Sequence, residues 1–70
     1  MNETKFDWDD LRLFLAVARH GGLHAAAKAT AKSPPTLGRR MLALEESTGL
    51  DLFQRLPRGY ILTPDGERLL

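Results

Sequence analysis

The chain contains no cysteine. That excludes a disulfide staple and a thiolate-bound metal. It has two histidines, His20 and His24, and neither has a third partner at metal-ligand spacing, so no metal or other cofactor is expected. Long apolar stretches are also missing. The longest wholly apolar run, Leu13 to Ala18, falls far short of the roughly 20 residues that cross a bilayer. Glu3, Lys5, Asp7, Asp9 and Asp10 near the start are unlike a secretory leader. No nucleophile–base–orienter set and no phosphate-cradling loop is present, so an enzyme is not expected. Internal repeats and low-complexity segments are lacking too. The 70 residues allow one small domain, which buries about 60% of its unfolded surface on folding.

The most telling absence is local. Between Leu11 and Leu44 there is no acidic residue, while Arg12, Arg19, Lys28, Lys32, Arg39 and Arg40 all lie there. The acids flank this span: Glu3 to Asp10 on one side, and Glu45, Glu46, Asp51, Asp65 and Glu67 on the other. The net charge of +1 hides this segregation. A basic middle between acidic ends suits a face that meets a polyanion.

Residues 1–6 read as an N-terminal tail. Asp7 suits an N-cap, with Asp10 completing a variant capping box and Phe6 stapled to Leu11. Leu11, Phe14, Leu15 and Ala18 mark the inward stripe of a first helix, which Gly21-Gly22 stops. An alanine-rich helix is expected over Leu23 to Thr30. After Ala31-Lys32-Ser33 comes a third helix with a hard start. Ser33 is the cap, accepting from the Thr36 N–H, and Pro34 takes the first helical position. Leu37, Met41 and Leu44 form its buried stripe at i, i+4, i+7. Gly49 ends it, with Leu50 folding back on Leu44 in a Schellman stop.

Two short strands around Pro57-Arg58-Gly59 then form a hairpin over residues 52–62. Thr63 and Pro64 start a fourth helix that has barely begun at Leu70, as expected of a piece of a longer protein. Trp8 and Tyr60 read as packing residues and Gly66 as a site of close helix approach. The expected fold is mainly α: a winged helix-turn-helix with a three-helix core, a two-stranded wing and the start of a linker helix. The domain covers residues 7–63, with the helix-turn-helix at 23–42 and the linker helix at 64–70.

This order and spacing resembles the N-terminal DNA-binding domain of the LysR-type bacterial transcriptional regulators. Leu11-Arg12-x-Phe14, Val17-Ala18, Gly21, Ala26-Ala27, Ser33-x-Pro35-x-Leu37-x-Arg39 and Leu44-Glu45 carry the resemblance. Gly49, Leu52-Phe53-x-Arg55, Arg58-Gly59, Leu62-Thr63 and Gly66 continue it. The resemblance implies sequence-specific binding of double-stranded promoter DNA in the bacterial cytoplasm, at the nucleoid. It also implies a parent protein that forms a homodimer or tetramer through the linker helix, and a separate domain that takes a small-molecule effector. A membrane partner is not implied. The alternative is a winged-helix protein-interaction module that binds no nucleic acid.

Lysines and arginines should supply affinity through phosphates, and the first turns of the third helix should read bases. Thr36 suits a base edge or a thymine methyl, and Arg39 suits guanine O6 and N7. Pro34 and Pro35 offer apolar contact to a thymine methyl. Arg40 suits a base or a phosphate. Ser33, Lys32 and His24 complete the expected DNA-facing set, with His24 on a phosphate. Arg58 at the wing tip suits a narrow minor groove, and Arg55 either a phosphate or an internal acid.

Three departures from the family pattern stand out. Pro34 replaces a common glutamine, Gly38 a common serine, and Thr30 and Lys32 the apolar residues usual around the turn. Two prolines at the helix start leave fewer free N–H groups for an anion. The polar substitutions predict a more loosely packed turn.

Overall fold

The first helix is apolar around most of its circumference, so neighbouring elements decide which side it buries. A computed structural model describes residues 8–70. Helix α1 (Trp8–His20) buries Leu13, Phe14 and Val17 completely. Leu11, Leu15 and Ala18 are only partly buried. The expected stripe is therefore turned by roughly a quarter of the helix circumference. The unbroken apolar run Leu13–Ala18 supplies candidates on every side, and periodicity alone cannot choose among them. Trp8 sits opposite the true core face and is 82% exposed, not packed as expected. The Asp7 cap, its capping box with Asp10 and the Phe6–Leu11 staple lie outside the described residues.

Helix α2 (Leu23–Thr30) has the expected bounds. It buries Ala26 and Thr30. Its C-cap, Ala31, adopts the left-handed conformation with φ 63°, at a strain of roughly 1 kcal/mol for a residue with a Cβ. The turn is more polar than usual but not loose. The Thr30 hydroxyl donates to Ala26 O at 2.9 Å and accepts the Lys32 N–H at 3.3 Å. These bonds satisfy the buried oxygen where an apolar side chain would have packed.

Helix α3 (Pro34–Thr48) buries Leu37, Met41 and Leu44 as the spacing predicts. It ends at Gly49 (φ 74°), but by the simpler left-handed motif, not a Schellman stop. The Gly49 N–H donates to Glu45 O at 2.8 Å. The Leu50 N–H is taken by Thr48 Oγ1 at 3.3 Å. Leu50 is 38% exposed.

Strands β1 (Phe53–Leu56) and β2 (Gly59–Leu62) pair antiparallel, with Phe53 opposite Leu62 and Leu56 opposite Gly59. Pro57 and Arg58 are the loop. Phe53 joins the core, 5.4 Å from the Phe14 ring, and Tyr60 packs edge-on against it at 5.3 Å. The wing is fastened at both ends. The Tyr60 N–H donates to Gly21 O at 2.9 Å, and a Cβ on Gly59 would overlap that same oxygen.

At the other end, Glu45 of α3 reaches β1. Its Oε2 accepts the Leu52 and Phe53 N–H groups at 2.8 and 3.1 Å, and its Oε1 pairs with Arg55 at 2.8 Å. Arg55, also 5.0 Å above the Tyr60 ring, thus pairs with the internal acid, one of its two expected partners.

Burial raises the Glu45 pKa, but the Arg55 guanidinium and the two amides outweigh it and hold the carboxyl below its ordinary 4.5. A depressed folded-state pKa adds stability above the unfolded value and loses it as pH falls through the folded one. Glu45→Gln is therefore expected to cost about 2 kcal/mol at neutral pH, since charge-assisted bonds to amides are lost. Melting temperatures followed against pH should show the two proteins converging below pH 4.5. A gap that stays constant into strong acid would remove this account.

Helix α4 (Pro64–Leu69) starts as expected, with Thr63 Oγ1 accepting the Gly66 N–H at 3.0 Å. Gly66 is buried against the Leu52 carbonyl, where no side chain fits.

Candidate nucleic-acid interface

A helix start that carries prolines needs a cap that reaches past them. Ser33 does so. Its Oγ accepts the Thr36 N–H at 3.3 Å and bonds the Thr36 hydroxyl at 2.9 Å. Pro34 and Pro35 have no N–H to satisfy. The Thr36 methyl and one hydroxyl hydrogen remain available to a ligand. Pro35 and Arg39 are exposed on the outer side of this end, with Pro34, Thr36 and Lys32 half-buried beside them. The structure therefore gathers Ser33, Pro34, Pro35, Thr36 and Arg39 at one end of α3.

Arg39 and Arg40 part company. Arg39 has no ion pair among the described residues. Arg40 turns to the first turn of α1. Its Nε donates to Asp10 Oδ1 at 3.0 Å, and its Nη2 donates to Asp10 Oδ1 at 2.6 Å and to Asp9 Oδ2 at 3.1 Å. Arg40, expected at a base or a phosphate, is thus tied to two acids of α1. These bonds use three of the five guanidinium N–H donors and leave the two on Nη1, on a side chain that is 33% exposed. No local pattern announces the pairing, because the partners lie about thirty residues apart. Asp9 also pairs with Arg12 at 2.7 Å. Arg12 first and Arg40 second hold its carboxyl below the usual range.

His24 and Arg58 are exposed on two sides of a cleft of about 390 Å³ between the start of α2 and the wing. Leu23, Gly22, Pro57 and Tyr60 help to line it. The fold thus brings these two together, at a place separate from the Ser33–Arg39 group.

Ion pairing sharpens the segregation seen in the sequence. Asp9 and Asp10 are spent on Arg12 and Arg40, Glu45 on Arg55, and Asp65 on Arg68. Arg19, Lys28, Lys32, Arg39 and Arg58 carry no such pair among the described residues. Among the described residues, unpaired cations therefore remain on α1, α2, the turn, α3 and the wing tip. Glu45 is a site-shaping residue that the sequence marks only as part of the Leu44-Glu45 motif and as an acid ten residues before Arg55, without showing its role as the anchor of β1.

The sequence model of the family described as "Bacterial regulatory helix-turn-helix protein, lysR family" matches residues 8–67. A probable hydrogen peroxide-inducible genes activator of Streptomyces viridosporus is 48% identical over 59 residues, covering 84% of this chain and 19% of that protein. The transcriptional activator AllS of Klebsiella pneumoniae is 41% identical over 64 residues, covering 91% of this chain and 24% of its own. This chain thus spans about a fifth to a quarter of the length of these curated relatives. Among solved structures, the CbnR DBD–DNA complex superposes with a TM-score of 0.90 at 40% identity, covering 93% of this chain and 75% of that one. The oxidized form of Corynebacterium glutamicum OxyR gives 0.91 at 35% identity, covering 99% and 22%.

Proposed function

Because this chain belongs to the lysR family of bacterial regulatory helix-turn-helix proteins, we propose that it is the sequence-specific, double-stranded DNA-binding module of a transcription regulator. One observation carries the reading. The exposed end of α3 presents Arg39 without an acidic partner among the described residues, inside a span that has no acid at all. Such an end suits the major groove, whose base edges accept hydrogen bonds from arginine. Thr36, Pro34 and Pro35 lie close enough along the helix to touch neighbouring bases, and Ser33 and Lys32 the adjoining phosphates.

His24 and Arg58 extend the interface. His24 suits a phosphate, and Arg58 a minor groove narrowed by A·T pairs. Solved DNA complexes among the similar structures, of CbnR and of BenM with benA site 1, support this reading. The parent protein would assemble as a homodimer or tetramer through a longer α4, take a small-molecule effector in another domain, and act in the bacterial cytoplasm.

Binding to a random duplex pool, followed by fluorescence anisotropy across a salt series, tests the reading. Affinity should fall log-linearly with salt, with a slope of about −0.9 per phosphate neutralised. An affinity indifferent to salt, or no affinity for any duplex, would favour the protein-interaction alternative.

A further inference from the structure

Three consecutive residues of α3 point in three directions, because each step along the helix turns it by about 100°. Gly38 faces α2, where a Cβ would stand 3.3 Å from Leu23 Cδ1. Arg40 faces α1 and holds Asp10 and Asp9. Arg39 lies between them, facing outward. Gly38 thus lets α3 lie close to α2 on one flank while Arg40 holds α1 on the other, and the aim of Arg39 follows from both.

We infer that Arg40 is a positioning residue for base reading: its pairing with Asp10 and Asp9 fixes the roll of α3 on α1 and so determines which base edge Arg39 reaches. The inference rests on the reading of α3 as the helix that enters the groove.

The geometry suits that task. Arg40 makes two hydrogen bonds to one oxygen of Asp10, whose side chain is only 15% exposed, and a third to Asp9. Asp9 is steadied in turn by Arg12, so the brace is a row of four side chains: Arg12, Asp9, Arg40 and Asp10. A partly buried pair of this kind gives direction as well as attraction, because losing either partner leaves the other charge poorly compensated. Small rotations matter here. A side-chain tip roughly 6 Å from the helix axis moves about 1 Å for each 10° of roll. A bidentate arginine–guanine contact needs both donors inside a narrow distance window.

A neutral substitution in the acid separates this role from simple electrostatics. Asp10→Asn removes a negative charge beside the interface, so electrostatics alone would tighten binding to every duplex. The brace predicts something else, namely that selectivity falls. Arg40→Gln, Asp10→Asn and the exchange Arg40→Asp with Asp10→Arg would be compared with the unaltered chain. The probes are the duplex that the unaltered chain selects from a random pool and the same duplex changed at its preferred guanine. Thermal melts would fix a temperature at which every variant stays folded.

Both single variants should lower the ratio of the two affinities about fivefold or more, while the salt slope stays as in the unaltered chain. The exchange should restore most of the ratio. Arg40→Gln shifting the slope by about one, with no recovery in the exchange, would make Arg40 a phosphate contact and overturn the inference. So would an unchanged ratio for Asp10→Asn. Absence of duplex binding by the unaltered chain would instead defeat the DNA-binding reading itself, and the inference with it.

Discussion

Gly66→Ala is expected to destabilise the domain by about 3 kcal/mol, or to prevent folding outright. The added methyl would overlap the Leu52 carbonyl oxygen and crowd the Leu62 side chain. The backbone oxygen has no freedom to retreat, because it already accepts the Thr63 N–H at 3.0 Å. Relief requires α4 to lift away from the loop before β1, which breaks that bond and pulls on the Thr63 cap. Alanine's better helix propensity returns only about 1 kcal/mol. A domain of 70 residues has roughly 4–10 kcal/mol in all, so the loss is a large share. Urea unfolding should show a lower midpoint at an unchanged slope. Glu67→Ala, at the exposed next position, should change stability by no more than about 0.5 kcal/mol. A Gly66→Ala midpoint equal to or above that of the unaltered protein would show that α4 does not press on Leu52.

Arg39→Ala should cost on the order of 1–3 kcal/mol on the selected duplex, and it should blur preference at one base position only. The reasoning is geometric. Arg39 has no ion pair among the described residues, is exposed, and sits on the same end of α3 as the capped Thr36. Its guanidinium is free to present two donors to a guanine edge. Removing it leaves the fold untouched, so melting should not change. Competition with duplexes altered one pair at a time would locate the affected base. A loss of equal size on every duplex would reassign Arg39 to a phosphate.

Elements whose boundaries are set by local chemistry could be read from the sequence. Ser33 and Pro34 fixed the start of α3, Gly49 its end, Thr63 and Pro64 the start of α4, and Pro57-Arg58-Gly59 the wing loop. These signals act within a few residues. What could not be read depends on partners distant in sequence. The buried side of α1 is set by α2, α3 and the wing, and its apolar run accommodates more than one choice. Trp8 faces outward for the same reason. Arg40 looks like its neighbour Arg39 until the first turn of α1 is brought beside it. The turn at Thr30 gave a different lesson, because a threonine that finds two backbone partners fills a buried position as well as an apolar residue does. Arg55 was open between two readings, and it pairs with Glu45.

Glu45 and the Tyr60–Gly21 bond together fasten the wing to the helical core at both ends. These bonds tie the hairpin to α3 and to the turn between α1 and α2, so that Arg58 and Arg39 stand like the two points of a caliper. For an operator this means fixed phasing. On the proposed DNA-binding reading, the segment under the wing and the bases under α3 would keep one separation, so inserting a single base pair between them should cost more than changing the identity of either.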